Sequence, residues 1–144
     1  MITLRATLVS GLGEGAFFIA IDWVRVGIER LVGFAPYPGT LNLRLDDDEA
    51  RRTWQTIRNG PALALVPPPP ESCGGRLIGV VLASNTGALP DIPAAVVIPD
   101  ATRHGDDVLE VVAPVHVRRQ LGLGDGDHVT VRVPGHDPAP RATG

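Results

Sequence analysis

The chain has 144 residues, 44% of them hydrophobic, which is enough apolar side chain for the core of one ordinary domain. Thirteen basic residues stand against 16 acidic ones, net charge −3, and no long single-sign run offers a stripe for nucleic acid or an anionic membrane. All 13 basic residues are arginine, which excludes a Walker A loop, the strand lysine of a protein kinase and Schiff-base chemistry.

The N-terminus, Met1 to Arg5, lacks the basic-then-apolar build of a signal peptide, and no stretch approaches the ~18 apolar residues of a membrane span. The expectation is a cytoplasmic protein. Residues Ile2 to Val9 alternate apolar and polar, the period of a half-buried strand, and run into Gly11-Leu12-Gly13-Glu14-Gly15. Ala16 to Ile21 is short, apolar and rich in aromatic and β-branched residues. It reads as a buried strand returning from the glycine loop, so that the two form a glycine-tipped hairpin. Asp22 can cap a helix over Trp23 to Val32, with Gly33 closing it. The rigid turn Pro36-Tyr37-Pro38-Gly39 feeds Thr40 to Leu45, where leucines point one way and Thr40, Asn42 and Arg44 the other.

A second helix is expected over Glu49 to Arg58, capped from Asp46-Asp47-Asp48, whose negative charge suits a helix N-terminus. That capping role is favoured over a calcium loop, whose remaining ligand spacing is missing. Ala62 to Val66 reads as a strand, and Pro67 to Pro70 as a loop. Further strands are expected at Arg76 to Ala83, Ala94 to Ile98, Val108 to Val112 and His128 to Val133, with a short helix from Val115 to Leu121. Many short strands separated by turns point to a β-barrel. The proline-rich tail, residues 134–144, is expected to be disordered, leaving residues 1–133 as the folded domain.

Few residues carry legible chemistry. Cys73 is the only cysteine, and His104, His116, His128 and His136 have no structural zinc spacing. The glycines at 11, 13 and 15 could let backbone N–H groups converge on an anion, although such glycines more often serve a turn. Thr40 and Asn42 offer neutral oxygens suited to Mg²⁺, or simply a solvated strand face. Glu110 sits in the apolar run Val108 to Ala113, where a carboxylate is costly unless hydrogen-bonded or functional; strand alternation simply turning it outward is the blander and commoner case. His104 ranks behind Glu110 as a candidate base.

In order along the chain, Val9-Ser10-Gly11-Leu12-Gly13-Glu14-Gly15, then Gly33-Phe34-Ala35-Pro36-Tyr37-Pro38-Gly39-Thr40-Leu41-Asn42-Leu43, then Val97-Ile98-Pro99, Thr102, His104, Leu109-Glu110-Val111-Val112-Ala113-Pro114, Arg118, Leu121 and Gly124-Asp125-Gly126-Asp127 resemble the archaeal CTP-dependent riboflavin kinases. The resemblance covers roughly Leu8 to Val133, and its most specific part is Pro36 to Leu43. It implies a mainly β fold, a six-stranded cradle-loop, riboflavin-kinase-like barrel with short flanking helices, together with CTP as donor, riboflavin as acceptor and Mg²⁺. Carried over by position, Leu12, Gly13, Glu14, Gly15, Ala16 and Phe17, with Val115, His116, Val117 and Arg118, would hold CTP or CDP. Thr40 and Asn42 would bind the metal, and Thr102 and Glu110 would face riboflavin or FMN. Glu110 is the candidate catalytic base. Two stretches depart from the family pattern: Ala16 stands where a larger, basic side chain is common, and the proline-rich Pro61 to Gly75 has no clear counterpart.

Two other readings stay open. One is a flavin or nucleotide sensor that keeps the barrel without transfer activity. The other, suggested by Pro114 to Val133, is a swapped-hairpin DNA-binding barrel, which the acidic, lysine-free composition disfavours. The expectation is a monomer that binds neither nucleic acid nor membrane.

Overall fold

The computed structural model describes residues 1–10, 14–71, 73–100 and 108–135. In chain order the elements are β1 (Ile2–Val9), α1 (Glu14–Ile19), α2 (Asp22–Val32), β2 (Leu41–Leu45), α3 (Asp48–Arg58), β3 (Leu63–Leu65), β4 (Gly75–Ser84), β5 (Ile92–Pro99), β6 (Val108–Val112), α4 (Val117–Leu121) and β7 (His128–Val133). The strands form one antiparallel sheet in the order β3-β4-β5-β6-β2-β1-β7, and a further pairing of β4 with β7 closes six of them into a ring. The mainly β, six-stranded barrel expected from the sequence is therefore present. The seventh strand, β3, lies outside the ring on the edge of β4, within the stretch that departs from the family pattern.

Alternation sets which residues fill the barrel. Leu4, Ala6 and Leu8 of β1, Leu41, Leu43 and Leu45 of β2, Leu109 and Val111 of β6, and Val129, Val131 and Val133 of β7 point inward and share one core. Helix α3 adds Ala50, Trp54 and Ile57 to this core, and α4 adds Val117 and Leu121. A second apolar layer lies on the outer wall: Phe18 and Ile19 of α1 and Val24 and Ile28 of α2 pack with Leu65, Leu77, Ala95, Val97 and Val112. Covered on both faces, β5 is buried at every position but Pro93, which is why Ala94 to Ile98 reads as a continuous apolar run and not an alternating one.

One sequence expectation is overturned. Residues 16–21 are not a strand returning from the glycine loop; most of them belong to α1, continued by a turn in which Ala20 N–H donates to the Ala16 carbonyl. Both edges of β1 are already taken, one by β2 and the other by β7, so a hairpin partner has no edge to join. The burial pattern agrees with a helix. Phe18 and Ile19 are both buried while Phe17 is 78% exposed, whereas a strand would place Phe17 and Ile19 on the same face. A smaller correction concerns α2, whose N-cap position is Ile21 with no side-chain cap. Asp22 instead lies in the first turn, 3.1 Å from the Arg25 guanidinium. Gly33 closes α2 as expected, at φ +84°.

Helix α3 carries the expected cap: the Asp47 carboxylate accepts from Ala50 N–H at 2.7 Å. Asp47→Ala is expected to cost about 1 kcal/mol of unfolding free energy in urea titration, and Asp47→Ser to restore most of it. Among the described residues no helix is long and apolar enough to cross a membrane.

Candidate active site

Strand β2 organises the site. Gly39, at φ +104°, completes the turn that Pro36 and Pro38 stiffen, and Tyr37 N–H fixes that turn to the barrel by donating to the Ala113 carbonyl at 2.7 Å. Beyond the turn, Leu41, Leu43 and Leu45 face the core, leaving Thr40, Asn42 and Arg44 on the outer wall. Asn42 is paired across the sheet with Val9 on one side and Glu110 on the other. Directly opposed residues project from the same face with Cβ atoms about 5 Å apart. Thr40 Oγ1 donates to Glu110 Oε2 at 3.3 Å, so three residues far apart in sequence form one group.

Glu110 is the one charged residue buried among those described, 3% exposed. Alternation does turn it away from the barrel interior, together with Val112, but Val112 belongs to the apolar layer under α1 and α2. Outward from the barrel is therefore not outward to water. A carboxylate here requires hydrogen-bonding partners, of which the Thr40 hydroxyl is one.

Beside this group lies a cleft lined by Tyr37, Gly39, Thr40, Val115, His116, Val117 and Arg118, among others. The segment 115–118 and the metal candidate Thr40 thus share one concavity. His116 is the N-cap of α4, its Nδ1 accepting from Arg119 N–H at 3.2 Å, and the Tyr37 ring meets it edge-on at 5.2 Å. Arg118 makes an ion pair with Asp125 at 2.7 Å, and Asp125 also accepts from Ser10 Oγ at 2.8 Å. This link ties the residue before the glycine loop to α4.

The hydrogen bond from Arg118, seconded by that from Ser10, holds the Asp125 carboxyl below the ordinary carboxylate value. A lowered folded-state pKa contributes stability that is full above the ordinary value and lost as pH falls through the lowered one. Asp125→Asn should accordingly lower the melting temperature at neutral pH, and the gap from the parent protein should narrow on acidification below the ordinary carboxylate range.

The remaining candidates are less defined. Glu14, Gly15, Ala16 and Phe17 lie in α1, where Ala16 is half-buried and Phe17 exposed. Leu12, Gly13, Thr102 and His104 lie outside the described residues. Tyr37, Ser10 and the Arg118 partnership of Asp125 escaped the residue-by-residue reading of the sequence. The Gly124-Asp125-Gly126-Asp127 run was the one available signal for Asp125. As ligands, Thr40 and Asn42 offer two neutral oxygens, which fit Mg²⁺, a hard cation that keeps several waters and takes phosphate oxygens, and the Glu110 carboxylate lies beside them.

Residues 8–133 match the family CTP-dep_RFKase, described as "Domain of unknown function DUF120". The chain is 36% identical over 132 residues to a riboflavin kinase of Saccharolobus solfataricus, covering 92% of this chain and 74% of that protein. It is 42% identical over 134 residues to one from Pyrobaculum islandicum and 38% identical over 141 residues to one from Thermofilum pendens. The chain spans 60% and 59% of the length of these last two proteins.

Proposed function

The chain belongs to the CTP-dependent riboflavin kinase family, and we propose that it transfers the γ-phosphoryl group of CTP to the ribityl 5′-hydroxyl of riboflavin, giving FMN and CDP. The observation that carries this reading is the meeting of Thr40, Asn42 and buried Glu110 on neighbouring strands, beside the cleft bordered by Val115 to Arg118.

In the proposed reaction a bond forms between the γ-phosphorus and the ribityl oxygen, and the bond from that phosphorus to the β–γ bridging oxygen breaks. The hydroxyl proton passes to the Glu110 carboxylate. Phosphoryl transfer is chiefly positioning and charge stabilisation, so a chain without lysine is adequate to it. Residues 12–17 and 115–118 would hold the nucleotide, with Arg118 kept in place by Asp125. Thr40 and Asn42, with Glu110 beside them, would hold Mg²⁺, which when bound neutralises charge on the phosphate oxygens. Thr102 and Glu110 would contact the flavin.

Donor choice is tested by initial rates of FMN formation with CTP, ATP, GTP and UTP at equal concentration, riboflavin and Mg²⁺ being held fixed. The fastest turnover with CTP supports the reading. Equal rates with all four would remove CTP as the specific donor while leaving a riboflavin kinase.

A further inference from the structure

Arg44 completes the outer row of β2 begun by Thr40 and Asn42, and the proposed reaction gives it no part. It lies two residues beyond Asn42, about 7 Å along the strand. Its cross-strand neighbours are Thr7 on β1 and Val108 on β6, the latter two residues before Glu110 on the same face. The side chain is exposed and makes no hydrogen bond or ion pair among the described residues.

Other arginines of the barrel and of α4 are committed. Arg5 donates to Asn85 at 3.2 Å, Arg132 to Asp91 at 2.7 Å, and Arg118 is paired with Asp125. The acidic residue nearest to Arg44 along its own strand is Asp46, which receives the Thr7 hydroxyl and lies 3.4 Å from His128 Nδ1. Among the described residues Arg44 thus has no partner for its positive charge, at the end of the row that carries Asn42 and opposite the strand that carries Glu110. A guanidinium in that state does little for folding and is free to form a two-pronged contact with a phosphate.

Resting on the riboflavin kinase reading, the geometry points to Arg44 as the residue that holds the phosphate of the phosphorylated flavin, and so distinguishes the phosphate ester from the free alcohol. Riboflavin itself carries no phosphate to make this contact. Arg44 therefore governs retention of the product and not capture of riboflavin.

The test is binding of FMN and of riboflavin, each alone, followed by quenching of flavin fluorescence in the wild type, Arg44→Gln and Arg44→Lys. Arg44→Gln is expected to weaken FMN at least about ten-fold, the size of a charged hydrogen bond. It should leave riboflavin binding and the melting temperature unchanged and remove the salt dependence of FMN binding. Arg44→Lys should recover part of the loss. Unchanged FMN affinity in Arg44→Gln, or an equal loss for both flavins, overturns the assignment and leaves the riboflavin kinase reading standing. A folded wild type that binds neither flavin overturns both.

Discussion

Glu110→Gln is expected to lower kcat by about a hundred-fold or more, the scale of a lost general base, with little change in the KM for riboflavin. Glutamine keeps the shape of the side chain, and its carbonyl oxygen still accepts from the Thr40 hydroxyl that now reaches Glu110 Oε2. What it loses is the ability to take a proton. The site makes this separation clean, because Glu110 is 3% exposed and its neighbour Val112 is fully enclosed, so bulk water has poor access to replace the base. A thermal melt shows whether the variant is folded. Turnover equal to the wild type would assign Glu110 to binding or to structure and return the search for a base to His104.

Asn42→Ala is expected to raise the Mg²⁺ concentration needed for half-maximal rate by at least about ten-fold, in line with the cost of disturbing a metal's ligand environment. Asn42 faces Glu110 across the β2–β6 pair, and its backbone is held from both sides by β1 and β6, so the side chain can be removed without moving the strand. Mn²⁺ binding followed by water-proton relaxation gives the same comparison without turnover. Thr40→Ala should act in the same direction. If metal dependence is unaltered in both variants, these two residues do not hold the metal.

Most of the fold was legible because its strands obey local rules. The alternation of Leu41, Leu43 and Leu45 with Asn42 and Arg44 announced both the strand and its polar face, and the bounds of β6 and β7 follow from apolar runs ended by turn residues. Helix α3 was legible through its aspartate cap. Residues 16–21 were not, since a six-residue apolar run suits a strand or a helix equally and only the occupied edges of β1 decide between them. The same holds for Glu110. Its position in the strand gave its direction, but its burial depends on the outer apolar layer, which includes residues as distant in sequence as Phe18 and Ile28. The edge-on contact of Tyr37 with His116 is likewise a product of closure, joining a turn before β2 to the cap of α4.

The most direct test follows radiolabel from [γ-³²P]CTP into flavin, using purified protein, riboflavin and Mg²⁺, with the products separated by chromatography. The account predicts label in FMN, formed by the wild type and nearly absent with Glu110→Gln. Folded wild-type protein that binds riboflavin and transfers no label would contradict it, and would make the barrel a flavin-binding sensor.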